Sequence, residues 1–170
     1  MPRPKPEDYP SFYAGYVEEI EGNEPVKILE EQITKLQILL SNVSEEKGDF
    51  SYAKGKWTIK EIIGHLIDTE KVMAYRALCI ARGEKQSLPG FEQDDYVKEA
   101  NFNKRKIKDL MEELLLTRRL TILLFKSFEK EMLNRRGTAN EKEVTVLALA
   151  FIIAGHAYHH IKILKARYLV

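Results

Sequence analysis

The chain has 170 residues, enough for one domain with a sizeable buried core. It is 44% hydrophobic and 31% charged, with a formal net charge of +1, which excludes a strongly basic polyanion binder. A single cysteine, Cys79, excludes an internal disulfide, and the opening MPRPKPEDYP lacks the apolar core of a secretory signal, so a cytoplasmic location is expected.

Residues 1–9 are expected to be extended. PSFYAGYVEEI then reads as a short helix with Pro10 in its first turn. GNEPVKILEEQITKLQILLSNV offers Asn23 as an N-cap and Pro25 in the first turn. Leu29, Ile33, Leu36, Leu40 and Val43 recur at steps of three and four, one apolar stripe of a first long helix. The polar stretch SEEKGDFSYAKGK reads as a loop ending at Trp57. Thr58 and Glu61 form an S/T-x-x-E capping box that opens a second long helix, and Gly83 stops it. His65 lies in its second turn.

A long connection follows, with a short helix expected around Asp94–Ala100. Asn103 is placed as the cap of a third long helix, whose seam runs through Ile107, Leu110, Leu114, Thr117, Thr121, Leu124 and Phe128. The two seam threonines are expected to bond the carbonyl one turn back. The basic stretches NKRKIKD and TRRL, interleaved with Asp109, Glu112 and Glu113, read as a solvated helix face and not as a nucleic-acid groove. NRRGTANEKE reads as a turn-rich loop, and a fourth long helix runs from Val144 to near the end. No strand signature is read anywhere. The run VTVLALAFIIA is shorter than the roughly 20 residues a membrane span needs, so it is assigned to the core. The expected architecture is an all-α four-helix bundle with one longer crossover connection, a single domain over residues 1–170.

Three of the four histidines fall in AGHAYHHIKI. At about 100° per residue, His160 lies about 40° from His156, and both sit within the apolar stripe of Leu149, Ile152, Ile153, Ile163 and Leu164. His159 falls at the edge of that stripe and is left out of a first coordination shell. Two imidazoles one turn apart can converge on one ion, and a metal would satisfy one nitrogen of each ring in an apolar setting. A hydrogen-bonded pair of core histidines is the alternative, and the pair alone leaves both open. His65 adds weight to the metal reading. If its helix runs antiparallel to the last one, it lies level with the pair, and three imidazoles leave a tetrahedral ion one free position.

KWTIKEIIGHLIDTE, LPGFEQDDY and the terminal GHAYHHIKIL together resemble the DinB/YfiT-like superfamily, as does the opening YAGYVEEI. The resemblance covers nearly the whole chain, and the three-histidine spacing is its most specific feature. It implies a four-helix bundle, often a homodimer, with one divalent ion, nickel or zinc and sometimes iron, held by His65, His156 and His160. It further implies a metal-dependent hydrolase, or a transferase of a low-molecular-weight thiol, acting on a small-molecule substrate with no nucleic acid or membrane partner.

Beyond the histidines each candidate has two readings. Asp68, three residues after His65, is placed either to orient an imidazole or accept a proton, or as a solvated acid beside Lys71. Arg167, on the projected ligand face two turns past His160, meets either an anionic substrate group or solvent. Asp94 and Asp95 either cover a pocket or serve a helix start. Trp57 is expected to pack over the helix start, and Cys79 to be a small packing residue. Two other readings stay open: a non-enzymatic, stress-linked ligand-binding or assembly bundle with a structural metal, and a metal-free helical scaffold.

Overall fold

The computed structural model describes residues 3–169. In chain order the helices are α1 (Ala14–Glu18), α2 (Pro25–Leu40), α3 (Glu45–Gly48), α4 (Ile59–Ala81), α5 (Gln93–Ala100), α6 (Ile107–Lys126), α7 (Lys130–Leu133) and α8 (Val146–Ile163), with strands β1 (Arg136–Ala139) and β2 (Lys142–Thr145) before α8. The four long helices α2, α4, α6 and α8 form the bundle. Both α2 and α4 pack on α6 and on α8, so α2 and α4 stand on one diagonal and α6 and α8 on the other.

The start of α4 and one seam bond follow from the sequence. Thr58 accepts from the Glu61 amide and Glu61 returns the bond to the Thr58 amide, so the capping box opens α4 as expected. Thr121 Oγ1 donates to the Thr117 carbonyl at 3.0 Å, which satisfies one of the two seam threonines. The apolar stripe of α2 is buried through Leu29, Leu36 and Leu40.

Several boundaries differ from the sequence reading. Residues 136–145 are not a loop but an antiparallel hairpin, pairing Arg136 with Thr145 and Ala139 with Lys142. Asn140 and Glu141 at its tip both have positive φ, the twist a two-residue hairpin turn requires. With polar residues and few β-branched ones, the segment lacks the alternation that marks a strand. The cap of α8 is therefore Thr145, whose hydroxyl accepts from the Ala148 amide. Pro6–Asp8 forms a 3-10 turn within the segment expected to be extended, and Arg3 binds the carbonyls of Val17, Ile20 and Gly22. The polar loop after α2 contains α3, where Glu45, together with Asp49 just beyond it, holds the buried Lys60 at 3.0 Å each. Asn103 does not cap α6, which begins at Ile107 after Lys106; it bonds Thr58 and Glu61 across the start of α4. Glu24, not Asn23, precedes α2.

The apolar run of α8 belongs to a helix that continues near to the chain's end, as the sequence reading has it. Val146–Tyr168 has a mean hydropathy of 1.4 over its most apolar stretch and is long enough to cross a membrane, but 78% of that stretch is buried inside the bundle. Its hydrophobicity is spent on the core, where Phe151, Ile152 and Ala154 have no exposed surface.

One polar network crosses this core. Arg118 on α6 is fully buried. Its Nε and Nη2 donate to both oxygens of Glu70 on α4, at 2.8 to 3.0 Å, and its Nη1 donates to Gln32 Oε1 on α2 at 2.5 Å. Gln32 Nε2 in turn donates to the Ala154 carbonyl on α8 at 2.8 Å. The TRRL segment is thus not wholly a solvated face: Arg119 is exposed, but Arg118 lies on the seam between Leu114 and Thr121. Removing one partner of such a buried pair leaves an uncompensated charge and typically costs about 3–5 kcal/mol. Glu70→Ala is expected to lose about that much stability in urea unfolding followed by circular dichroism, and the double variant Glu70→Leu, Arg118→Met to recover most of it. Unchanged stability in Glu70→Ala would show that the network does not hold the bundle.

Candidate metal centre

The antiparallel crossing of α4 and α8 brings the three seam histidines together. His65, His156 and His160 are all buried, and one ring nitrogen of each lies within 4.8 Å of the others. The ring centroids form a near-equilateral triangle, with sides of 4.8 Å (His65–His156), 5.0 Å (His65–His160) and 4.6 Å (His156–His160). His65 Nε2 and His156 Nε2 are 2.9 Å apart. Two nitrogens held by one tetrahedral ion at about 2.0–2.1 Å each stand roughly 3.3 Å apart, so the observed spacings bracket what a shared ion needs.

Burial sets the protonation of the cluster. Desolvation pushes His65 down to about 4 and His160 to about 3, and it holds His156 well below the usual imidazole range. For His156 and His160 the neighbouring imidazoles add to the effect, because a second positive charge in the cluster would be repelled. All three rings are therefore neutral near pH 7, the form that binds metal. His160 Nδ1 is buried with no hydrogen-bond partner. A donor set of three neutral imidazoles with an orphaned nitrogen fits a divalent ion better than it fits a satisfied core. Among the described residues no aspartate, glutamate or cysteine joins the group.

The surroundings of the rings come from four segments. Tyr16 on α1 sits edge-on to His156 at 5.4 Å and to His159 at 5.5 Å. It gets there because Gly155 has no side chain: a Cβ at that position would fall 2.0 Å from the Tyr16 carbonyl oxygen. On the other helix Gly64 lies under the Phe102 ring, 2.4 Å from where its Cβ would be. Thr69 Oγ1, one turn beyond His65, lies 3.4 Å from His65 Nδ1. Trp57 lies against the His65 ring, with centroids 4.7 Å apart, so it is a wall of the site as well as a neighbour of the helix start. Its carbonyl accepts from the Tyr168 hydroxyl at 2.6 Å.

Two cavities reach the histidines. One, of about 270 Å³, is lined by His65 and His156 together with Tyr13, Tyr16, Thr69 and Arg76. The other, of about 360 Å³, is lined by His160 with Tyr52, Trp57, Asp94 and Tyr168. Gln93, the first residue of α5, lines both.

The weaker candidates fall elsewhere. Asp68 is half-buried, with its pKa raised chiefly by burial; it lines neither cavity, and Lys71 pairs with Glu113 instead. Arg167 is exposed. The helix loosens into a π-helical turn over Leu164–Tyr168, which rotates Tyr168 into the core and leaves Arg167 outside. Asp95 is exposed in the first turn of α5. Cys79 is partly buried against the core. His159 is half-buried, edge-on to His160, and not part of the three-nitrogen group. Sequence reasoning missed Thr69 and Arg76, although both lie on the His65 face at helical spacing.

The family profile described as the DinB superfamily matches residues 28–164. This chain belongs to the DinB superfamily. A curated relative from Oceanobacillus iheyensis, named a "putative metal-dependent hydrolase", is 20% identical over 143 residues, covering 84% of this chain and 83% of that protein. Among solved structures, YfiT from Bacillus subtilis superposes with a TM-score of 0.74 at 17% identity, covering 84% of this chain and 85% of that one. It is described as a "probable metal-dependent hydrolase with an unusual four-helix bundle topology". The mycothiol-dependent maleylpyruvate isomerase superposes with a TM-score of 0.69 at 13% identity, over 86% of this chain and 61% of that one. These likenesses establish the bundle fold.

The depressed imidazole values have a signed consequence for metal-free protein. An unfolded histidine titrates near 6.5, so between that pH and the folded values the unfolded chain binds more protons. Stability is then fully present above about pH 6.5 and falls as pH drops toward 4. Chelator-treated protein unfolded in urea across this range is expected to weaken steadily, and His65→Gln to flatten the decline. A profile flat from pH 7 to 4 would contradict the buried neutral cluster.

Proposed function

We propose that the chain is a metal-dependent enzyme in which His65, His156 and His160 hold one divalent ion, and that it transfers a low-molecular-weight thiol to a small-molecule acceptor. The observation that carries the reading is the convergence of three buried, neutral imidazoles between two cavities with no carboxylate or thiol closing the group. A closed fourth ligand marks a structural site, and its absence among the described residues favours chemistry. Imidazole donors suit zinc, nickel and iron alike. A bound divalent ion would supply Lewis acidity, favouring the thiolate form of a coordinated thiol or activating a water.

The protein's own residues have separate tasks in this scheme. The three imidazoles stay neutral and keep their lone pairs available because the bundle excludes water from them. Thr69 beside His65 Nδ1 orients that ring. Trp57 and Tyr16 cover the rings from two sides and restrict access to the cavities. Two cavities reaching one donor set are the reason to favour transfer between two reactants over hydrolysis, where water is the second reactant. The names of the hydrolase-like relatives keep hydrolysis as the second reading.

Metal analysis of wild-type protein and His156→Ala tests the site. About one divalent ion per chain is expected in the first and almost none in the second. Metal-loaded protein is then assayed with glutathione, mycothiol or bacillithiol and an electrophilic acceptor, and separately with ester and amide substrates without thiol. Thiol-dependent adduct formation that disappears in His156→Ala supports transfer, and thiol-independent cleavage supports hydrolysis. Full metal content with neither activity would favour a non-enzymatic bundle with a structural ion, and equal metal in both proteins would remove the site reading.

A further inference from the structure

The face of α4 that carries His65 continues through Thr69, Met73 and Arg76 at helical spacing, and all four line the 270 Å³ cavity shared with His156. Arg76 stands 11 residues past His65, about 16 Å along the axis, and helical side chains lean back toward the N-terminus. It is 4% exposed. Its Nη2 donates to the Pro89 carbonyl at 2.6 Å, its Nη1 meets the Met73 sulfur at 3.7 Å, the Tyr13 hydroxyl faces the guanidinium, and its Nε is buried with no partner.

The protein buries three lysine or arginine side chains among the described residues, Lys60, Arg76 and Arg118. Lys60 has Glu45 and Asp49, and Arg118 has Glu70. Arg76 alone makes no ion pair. Glu92 lines the same cavity but is exposed and unpaired with it. A buried cation costs several kcal/mol unless it finds a counter-charge, and a guanidinium presents a fork suited to carboxylate or phosphate. The remaining walls combine the rings of Phe12, Tyr13, Tyr16 and Phe91 with the polar side chains of Gln93 and Asn140, and the Phe91 ring lies 5.9 Å from the guanidinium.

We propose that Arg76 is the anion-recognising residue of this cavity, and that the substrate entering it carries a carboxylate or phosphate on a compact body with an aromatic or apolar part. His65 and Arg76 are about 16 Å apart along α4, so an anion held at Arg76 fixes the molecule's direction relative to the histidines. This rests on the reading of the histidine-lined cavity as a substrate cavity.

The test uses benzoate, phenyl phosphate and the neutral benzamide, titrated by calorimetry into metal-loaded and chelator-treated full-length protein. Benzoate or phenyl phosphate is expected to bind at least about tenfold more tightly than benzamide, in both metal states, and the tighter of the two names the anionic group. Arg76→Met is expected to abolish that preference and Arg76→Lys to keep part of it, with circular dichroism showing both folded. Equal binding of benzoate, phenyl phosphate and benzamide by wild type would overturn the proposal. So would a preference that survives in folded Arg76→Met, or one that vanishes with chelation alone, because the anion would then sit on the ion. Metal content measured in the same samples separates the two readings. An intact ion without anion preference rejects the Arg76 site, and anion preference in protein that takes up no ion on metal loading rejects the metal site.

Discussion

The bundle depends on one buried cation. Arg118 binds Glu70 on one neighbouring helix and Gln32 on the other, and Gln32 passes the connection to the Ala154 carbonyl of α8. With α2 and α4 on one diagonal, this chain of bonds closes three of the four helix–helix sides: α4 to α6, α6 to α2, and α2 to α8. The histidines stand at the fourth side, between α4 and α8. Apolar packing tolerates small slips, because one methyl contact resembles another. A bidentate guanidinium pair does not, since both oxygens must be met at once. Glu70 is five residues from His65 and Ala154 two residues from His156. Fixing the first pair in register therefore fixes the second, and with it the separation of the ring nitrogens.

The small residues beside the histidines extend the same logic to the periphery. Gly155 precedes His156 and admits the Tyr16 backbone; Gly64 precedes His65 and admits the Phe102 ring. Each glycine lets a neighbouring segment approach the helix where a ligand side chain departs. One segment comes from the N-terminal part of the chain, which Arg3 fastens by its carbonyls, and the other from the connection between α5 and α6. Water is kept from the rings by elements distant in sequence, and that exclusion is what lowers the imidazole pKa values.

The long helices were legible because apolar periodicity and the Thr58–Glu61 box are local signals. The meeting of His65 with His156 and His160 was legible only as a condition on helix direction, which the bundle meets. Arg118 was not legible, because charge suggested solvent. Its position between Leu114 and Thr121 was the better signal, and Gln32 between Leu29 and Leu36 told the same story on α2. Arg76 was hidden in the same way, on the His65 face yet read past. The hairpin at 136–145 escaped notice because its strands are short and polar, and they are held partly by Leu88, which pairs with the hairpin through Thr138 and Asn140. Arg167 falls on the ligand face only at a constant helical pitch, which the π-helical turn breaks, and of its two readings the structure has solvent.

Where polar groups are left without partners is as informative as where they are satisfied. Three buried side-chain atoms lack a hydrogen bond among the described residues: Glu19 Oε2, Arg76 Nε and His160 Nδ1. Glu19 is accounted for, since its other oxygen accepts from Lys162 at 2.9 Å. The remaining two belong to residues that line the two cavities. The same core satisfies Arg118, Gln32 and Lys60 in full view of apolar neighbours, so the fold has the means to compensate buried polarity. It leaves one atom uncompensated at an imidazole and one at a guanidinium, which under the proposed function are a donor for a cation and a receptor for an anion. A protein that needed only to be stable would place hydrocarbon at both positions. Their joint retention in the walls of two cavities that share Gln93 is what the proposed function, a charged reactant beside a metal, requires.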